Sequence, residues 1–461
     1  MKKYFLLLFA TIFLLSSCKK FLEQPAYNNV SVEEIFKDFE GARTTLVGLY
    51  DKLRSTNYYL LHFYTYPEVT GGNIKYAKPG GQILPNTYAF TRDEVAGNEL
   101  KGFYQQAYAI IYGANNVLEN SNKATDATVP QKDRMRAEAY AIRALVHFDL
   151  VRTFAQPYSF TADASHAGIV LKTRNTSVLT PTGEKASVKR VYDQITSDLD
   201  SAILLYGQSV SIYPTGEAKT FLSADAAKAL KSRVSLYKDD WAAVISNCTE
   251  LIASARYPLL SNSQYVASWR GRNISSESIF ELAIPTTSGS GLATYYNPAN
   301  TISYQFGTSN DLLNLYAIGD VRGTSSMFIS KVTNGVTYYS TKKYQGMNDT
   351  INNIKIIRSS ELYLNRAEAY AKSNNLTAAL ADLNVIRKRG LPSATTFTST
   401  SQQVVADEIL TERRRELAFE GHLFFDIARN KKDLVRTDNT AVIKSFTWPS
   451  ALYAYPIPLY Q

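Results

Sequence analysis

The sequence predicts a mainly α-helical protein, whose helices pair as antiparallel hairpins in a superhelical body with long irregular loops and a few short strands. Three observations support this fold class. Apolar residues recur at three- and four-residue spacing over several long segments. Two pairs of these segments are separated by only a short polar turn. Two other regions lack helical periodicity and are rich in Gly, Asn, Thr and Tyr.

The N-terminal half carries four long predicted helices before the first hairpin. Ser31 offers an N-cap and Glu34 completes a capping box, so the first helix begins there. The third helix has the most regular apolar stripe, formed by Met135, Ala139, Ile142, Val146, Leu150 and Phe154. The four helices are expected over about 31–54, 100–120, 131–154 and 188–206.

Two predicted hairpins follow, one in each half of the chain. The first pairs 223–237 with 240–254, and the second pairs 360–373 with 376–389. Small Ala residues at the contact positions allow the two helices of a pair to approach closely. The hairpins resemble tetratricopeptide-type repeats that have diverged and are separated by long insertions. Cys248 falls on an apolar stripe of the first hairpin and is expected in the core, and a last helix is expected over about 402–430.

Two long regions, about 57–97 and about 258–353, have little helical signal. Loops of this length in a compact domain are normally functional or disordered. Their aromatic content argues against disorder. Within the second region, 278–284 alternates like a short strand, which predicts some β-structure beside the helices.

The N-terminus has the features of an exported lipoprotein. Lys2 and Lys3 precede an apolar run of about a dozen residues, which is too short to span a bilayer of roughly 30 Å. The run ends in Leu15-Ser16-Ser17-Cys18, which resembles a bacterial lipobox. This predicts a signal peptide over 1–17, a lipidated Cys18, a tether over 18–30 and a single domain over 31–461, with halves of about 31–257 and 258–461.

Composition excludes several classes of protein. With 45% hydrophobic and 20% charged residues, the chain can bury a large core. Its formal charge of +9 becomes +7 without Lys2 and Lys3, and the one dense basic run is Arg413-Arg414-Arg415, so no nucleic-acid-binding arm is expected. Lipidation of Cys18 would leave one cysteine and no intramolecular disulfide. Tyr is abundant, with 32 residues, and suits binding surfaces because it combines a flat apolar ring with a polar tip.

Several motifs in order resemble one family. They are Arg136-Ala137-Glu138-Ala139-Tyr140-Ala141-Ile142-Arg143-Ala144-Leu145 with His147 to Arg152, Glu412 to His422, Phe424 to Arg429, and Pro456-Ile457-Pro458. Together with the lipobox and the hairpins, they resemble SusD/RagB-type outer-membrane lipoproteins of Bacteroidota. The resemblance implies a non-enzymatic, lipid-anchored nutrient-binding protein at the outer membrane, facing the cell exterior. Such a protein captures oligosaccharides, or peptides in some branches, for a SusC-type TonB-dependent transporter.

The loop aromatics are the best candidates for ligand contact, because sugar rings stack on flat aromatic faces while amide groups bind the hydroxyls. The resemblance implies that ligand contacts come from these two loop regions. The alternative is that the same rings pack the loops onto the helices. The candidates are Asn73, Tyr76, Tyr88 and Phe90 in the first region, and Tyr295, Tyr296, Asn297, Tyr304 and Trp269, which Arg270 and Arg272 accompany, in the second.

Enzymatic and metal chemistry have weaker support. Glu412, Glu416 and Glu420 share one helix face beside the arginine run, which indicates ion pairs to the body rather than catalysis. Arg136, Glu138 and Arg143 are likewise expected to be structural. The four histidines have no metal-ligand spacing, so neither a metal nor a cofactor is expected. A periplasmic helical-repeat scaffold and a secreted hydrolase remain alternatives, and the residues do not separate glycan from peptide as the ligand.

Overall fold

The structure, a computed structural model, describes residues 31–77, 83–93, 95, 98–175, 183–214, 219–272, 274–285, 291–346, 352–438 and 443–459. The predicted signal peptide, Cys18 and the tether lie outside the described residues. The described helices are α1 (Val32–Ile35), α2 (Phe39–Leu53), α3 (His62–Gly71), α4 (Pro85–Ala89), α5 (Lys101–Asn120), α6 (Val129–Phe154), α7 (Val188–Tyr206), α8 (Ala224–Tyr237), α9 (Trp241–Ala253), α10 (Asn262–Tyr265), α11 (Leu292–Tyr296), α12 (Asn310–Leu313), α13 (Ser359–Lys372), α14 (Leu376–Gly390), α15 (Gln402–Glu416) and α16 (Leu423–Arg429).

The long helices form the predicted superhelical body. Each packs mainly on the next along the series α2, α5, α6, α7, α8, α9, α13 and α14, and α15 packs on both α13 and α14. The predicted hairpins are α8 with α9 and α13 with α14. They meet through α9 and α13, although about a hundred residues separate them in the chain. The prediction of a mainly α protein built on tetratricopeptide-like hairpins is confirmed.

Two predicted helices are each broken in the structure. The helix expected over 31–54 is interrupted after Ile35, and Asp38 caps a new start by accepting from the Gly41 N–H at 2.8 Å. A Cβ on Gly41 would lie 1.9 Å from the Ile35 carbonyl oxygen, so this close turn requires glycine. The last helix, expected to reach residue 430, ends at Glu416 because Phe419 and Gly421 adopt positive φ angles of 66° and 80°.

The strands form five two-stranded antiparallel ribbons among the described residues. The predicted strand at 278–284 is confirmed as β4, which pairs with β8. Prediction missed the β6–β7 hairpin, whose Asn334-Gly335 turn has φ angles of 52° and 77° and is typical of tight hairpins. The strands are β1 (Ile74–Tyr76), β2 (Ala167–Val170), β3 (Lys185–Ser187), β4 (Ser278–Leu282), β5 (Phe306–Thr308), β6 (Phe328–Thr333), β7 (Val336–Thr341), β8 (Ile354–Arg358), β9 (Leu434–Val435) and β10 (Ser445–Phe446).

Helix α6 crosses the centre of the body, and its predicted apolar stripe is buried throughout. The helix also buries charges in pairs. Arg143 donates to both carboxylate oxygens of Asp198 at 2.6 and 2.8 Å, and Arg134 donates to Glu138 at 2.7 Å. Arg136 lies nearer the surface beside Asp133. The predicted structural roles of Arg136, Glu138 and Arg143 agree with these contacts, since a buried charge is tolerated when it is paired.

The thiol of Cys248 is fully buried on α9, as predicted, and burial raises its pKa to about 12. The thiol is therefore held in its neutral form inside the first hairpin. Within the described residues, no helix combines the length and the apolar character that a membrane crossing requires.

His147 predicts a measurable loss of stability in acid. Burial, reinforced by the nearby Arg143 charge, lowers its pKa from 6.5 to about 3. Between pH 6.5 and 3, His147 binds a proton in the unfolded chain but stays neutral in the folded chain. The free energy of unfolding therefore decreases as pH falls through this range, by up to about 1.4 kcal/mol per pH unit. Replacing His147 by Leu should flatten the urea-unfolding free energy between pH 6.5 and 4 relative to the wild type. An identical slope in both proteins would contradict this assignment.

Candidate ligand-binding face

The two long loop regions of the sequence meet in the structure. Strand β1, from the first region, pairs antiparallel with β5, from the second, so that Ile74 lies opposite Thr308 and Tyr76 opposite Phe306. The β6–β7 hairpin packs on β5 from outside, where the Ser340 hydroxyl donates to the Phe306 carbonyl at 2.8 Å. We call the surface built by the described residues of 57–97 and 258–346 the loop face. It lies beside the superhelical body and contains every predicted contact residue.

Phe306 and Tyr344 connect most of the predicted aromatics. The Phe306 ring centroid lies 6.0 Å from Tyr76, 6.0 Å from Tyr295 and 5.1 Å from Tyr296. Tyr344 continues the cluster, at 5.8 Å from Tyr296 and 6.3 Å from Trp269. Prediction missed both connecting residues. The apolar alternation of Tyr304-Gln305-Phe306 was the available signal for the first.

The expectation of an exposed face is wrong for seven of the nine predicted contact residues. All seven are at most 8% exposed, and they are Asn73, Tyr76, Tyr88, Phe90, Trp269, Tyr296 and Tyr304. Their side chains are packed inside the protein, as the alternative of loop packing predicted. Ligand contact by these residues stays a prediction that would require the loops around them to move.

Asn73 and Tyr304 illustrate why these residues are buried. The Asn73 amide donates to Glu68 at 2.7 Å and accepts from Arg414 at 2.9 Å, which ties β1 to the C-terminal helices. The hydroxyl groups of Tyr304 and Ser340 are hydrogen-bonded to each other at 2.9 Å beneath the hairpin. Both side chains therefore hold elements together.

Two other predicted aromatics are stacked against cations. The Phe90 ring has the guanidiniums of Arg92 and Arg436 at 4.8 and 4.7 Å from its centroid. The Trp269 ring lies under the ammonium groups of Lys343 and Lys355, at 4.5 and 5.0 Å. These contacts stabilise the loops because a buried cation is favoured over the electron-rich face of an aromatic ring.

The arginines beside Trp269 do not form an open anion site. Arg270 donates to the carbonyl oxygens of Lys342 at 2.6 Å and Ser326 at 2.7 Å. The Arg272 atoms Nε and Nη2 are buried and have no hydrogen-bond partner among the described residues. Arg270 thus anchors the loop to the hairpin.

Tyr295 and Asn297 are the predicted contacts that remain partly exposed. The Asn297 amide is oriented by two bonds, since it donates to the Gln345 carbonyl and accepts from the Ala299 N–H, both at 3.0 Å. The Tyr295 hydroxyl makes no hydrogen bond with the described residues, while its ring rests on Phe306. The Tyr295 ring is therefore supported by Phe306 while its hydroxyl is free to bind, so it can contact a ligand that stacks on it or meets its edge.

A small cavity lies next to this segment. It is lined by Leu60, Leu292, Ala293, Tyr344, Gly346, Asn352 and Ile354, and its volume is about 10 Å³. This is room for about one water molecule. A sugar ring does not fit, so contact through the described residues here would be made on the surface rather than in this cavity.

The β6–β7 hairpin adds an exposed aromatic that prediction missed. Tyr339 lies opposite Ser330, and Val332 lies opposite Thr337 on the same side of the hairpin. Tyr339 and Val332 are 42% and 66% exposed. The alternation around the Asn334-Gly335 turn was the signal that could have identified this surface.

The predicted ion pairs of Glu412, Glu416 and Glu420 are confirmed, but Glu420 does not share their helix face, because α15 ends at Glu416. Arg322 donates to Glu412 and Glu416 at 2.6 and 3.0 Å, and Arg358 donates to Glu420 at 2.8 Å. These carboxylates are buried and fully paired, which leaves no pair of them free to flank a scissile bond. The described part of the chain also contains no group of three His, Cys, Asp or Glu side chains placed to hold a metal ion.

The exposure difference between two neighbouring tyrosines gives a test of the loop face. Tyr295→Ala should leave the fold intact and weaken binding of a saccharide ligand by roughly 1–3 kcal/mol, by analogy with base stacking. Tyr296→Ala should instead lower the unfolding free energy by about 3–5 kcal/mol, because its ring is buried. Calorimetric titration and urea unfolding separate the two effects, with half-buried Tyr112→Ala on α5 as the control. Unchanged affinity in a folded Tyr295→Ala protein would place the site elsewhere.

Comparison with known proteins places the chain in a family. A model described as "SusD family" matches residues 264–447, and one described as "Starch-binding associating with outer membrane" matches 20–236. SusD-like protein P38 of Formosa agariphila is 24% identical, over 92% of this chain and 90% of that protein. A SusD superfamily protein of Bacteroides vulgatus superposes with a TM-score of 0.80 at 25% identity, over 92% of this chain and 96% of the other.

A second solved structure agrees. A putative sugar binding protein from Bacteroides vulgatus superposes with a TM-score of 0.80 at 26% identity, over 92% of this chain and 95% of that one. The two family models cover both halves of the chain in order, and the structural matches extend over the helical body and the loop face together. The chain is a SusD-like protein.

Proposed function

We propose that this protein captures oligosaccharides at the outer membrane and delivers them to a SusC-type TonB-dependent transporter. The observation that carries the proposal is the match of residues 20–236 to a family described as starch-binding and associated with the outer membrane. The name of the Bacteroides vulgatus neighbour, a putative sugar binding protein, supports the same ligand class. Tyr295, Asn297 and Tyr339 on the loop face supply aromatic and amide groups suited to saccharides.

Anchoring by acyl chains on Cys18 is part of the proposal. The predicted lipobox ends at Cys18, and the family match begins two residues after it. Several acyl chains would hold the protein firmly, since each buried methylene contributes about 0.8 kcal/mol. In this arrangement 1–17 is removed, 18–30 is the tether, and 31–461 is one domain that faces the cell exterior.

The proposed role is binding without chemistry. The one carboxylate-rich helix face considered for catalysis is occupied by buried ion pairs to Arg322, Arg358 and Arg389. Hand-over to a transporter requires release of an unchanged ligand. The tests distinguish this role from three alternatives, which are a peptide-binding uptake subunit, a periplasmic scaffold and a hydrolase.

The membrane part of the proposal is tested in cells that carry the full chain with a C-terminal affinity tag. Purification from detergent-solubilised outer membrane should recover a TonB-dependent transporter barrel with the protein, and protease added to intact cells should degrade it. Cys18→Ala should abolish acylation, seen by mass spectrometry, and release the protein from the membrane fraction. Protection from protease in intact cells, without a barrel, would favour the periplasmic scaffold.

A further inference from the structure

A second aromatic surface lies outside the loop face, where the chain leaving α6 meets the C-terminal segment. Phe160 is 41% exposed, and its ring centroid lies 6.0 Å from that of partly exposed Trp448, with an angle of 82° between the rings. We call this pair the aromatic corner. Neither residue belongs to the loop face.

Contacts with neighbouring residues hold the two rings of the aromatic corner in place. Trp448 packs on Tyr453 at 5.0 Å, and the Gln156 amide donates to the Ser450 carbonyl at 3.0 Å, which joins the two segments. The His166 ring lies 5.2 Å from Phe160. Its Nε2 bonds the Gln156 carbonyl at 3.1 Å, which makes Nε2–H the donor. A ligand here would therefore meet rings that are already in place.

A carboxylate stands beside the corner. Asp433 is exposed, and its Oδ1 accepts from the backbone N–H of Trp448 at 2.8 Å. Its Oδ2 makes no hydrogen bond with the described residues, so that oxygen is available to a hydroxyl group. Two aromatic rings with a carboxylate nearby match a saccharide, whose C–H faces stack while its hydroxyls donate, better than a wholly apolar partner.

We propose that the Phe160–Trp448 corner, with Asp433, is a second saccharide-contact site, so that one chain holds a long glycan at two separate places. The inference rests on the proposed function and deepens it by placing another contact. Two weak contacts on one rigid body favour a long chain over a short one, because the second binding event becomes intramolecular.

The test uses the mature full chain, residues 19–461, in calorimetric titration with short oligosaccharides and with the parent polysaccharides. Wild type should bind two short oligosaccharides per chain. Phe160→Ala and Trp448→Ala should each remove one of the two and weaken polysaccharide binding by about 5- to 150-fold, the equivalent of one lost stacked ring. Leu204→Ala, at another exposed apolar position on α7, is the matched control and should change neither value.

Tryptophan fluorescence gives an independent readout. The chain has three tryptophans, of which Trp269 is buried. Trp448→Phe should abolish the fluorescence change that accompanies occupation of the corner, and Tyr295→Ala should preserve it. Unchanged stoichiometry and affinity in folded Phe160→Ala and Trp448→Ala, with an unchanged fluorescence response in Trp448→Phe, would overturn the second site while leaving the proposed function standing. A wild-type chain that binds no saccharide would overturn both.

Discussion

Replacing Glu416 by Gln is expected to lower the free energy of unfolding by about 3–5 kcal/mol, as for other buried ion pairs that lose one partner. Glu416 is fully buried and accepts hydrogen bonds from Arg322, Arg358 and Arg389. Burial alone would raise its pKa, but these three guanidiniums hold the pKa well below its usual range. The neutral amide keeps the shape of the side chain and removes the charge that the arginines face.

Urea unfolding at neutral pH measures this effect. Glu34→Gln is the control, because Glu34 pairs with Lys37 on the surface and both side chains are more than half exposed. Such pairs contribute about 0–1 kcal/mol. A loss of less than about 1 kcal/mol in Glu416→Gln would show that this charge network does not hold α15 to the body.

Replacing Glu68 by Gln is the second change with a large expected effect. The buried Glu68 carboxylate accepts from the backbone N–H groups of Phe419, Gly421 and His422, and from the Asn73 amide. Each carboxylate oxygen receives two donors. In Glu68→Gln the amide NH₂ group would replace one of these oxygens in either orientation. It would then face two donors and leave them without an acceptor. Each stranded donor costs about 1–3 kcal/mol, so a loss of at least about 2 kcal/mol is expected.

This effect should also appear locally. Hydrogen exchange at the amides of Phe419, Gly421 and His422 should accelerate in Glu68→Gln, since these groups lose their acceptor. Glu250→Gln, at a largely exposed carboxylate paired with Lys228, should leave both stability and exchange near wild-type values. Wild-type exchange at the three amides in Glu68→Gln would contradict the assigned role.

Periodicity predicted the helical body well because each long helix presents a clear apolar stripe to its neighbours. The helix over 188–206 was predicted with its observed ends, and Ser187 confirms the start by accepting from the Arg190 N–H. Helix α3 was missed within the first loop region because it is buried all round from Phe63 to Gly71 and therefore has no polar face to give a period.

The candidate contacts were harder to predict, since composition does not show which face of a loop is exposed. Tyr295 and Tyr296 are adjacent in the chain, yet one is partly exposed and the other is 2% exposed. Their difference depends on Phe306, Tyr344 and Phe419, which arrive from distant parts of the chain. Tyr339 and Trp448 were not chosen because their surroundings also depend on tertiary contacts. The spacing of Glu412 and Glu416 on one helix face predicted that they form ion pairs, but their partners Arg322, Arg358 and Arg389 come from other parts of the chain.

The central claim is that this chain binds saccharides without altering them. The most direct measurement is calorimetric titration of residues 19–461 with a panel of oligosaccharides, polysaccharides and mixed peptides, followed by chromatography of each mixture for cleavage products. We expect saturable binding of at least one saccharide, which is recovered intact. Binding of peptides alone would show that the ligands are peptides rather than saccharides. Shortened products, or no saccharide binding across the panel, would contradict the claim.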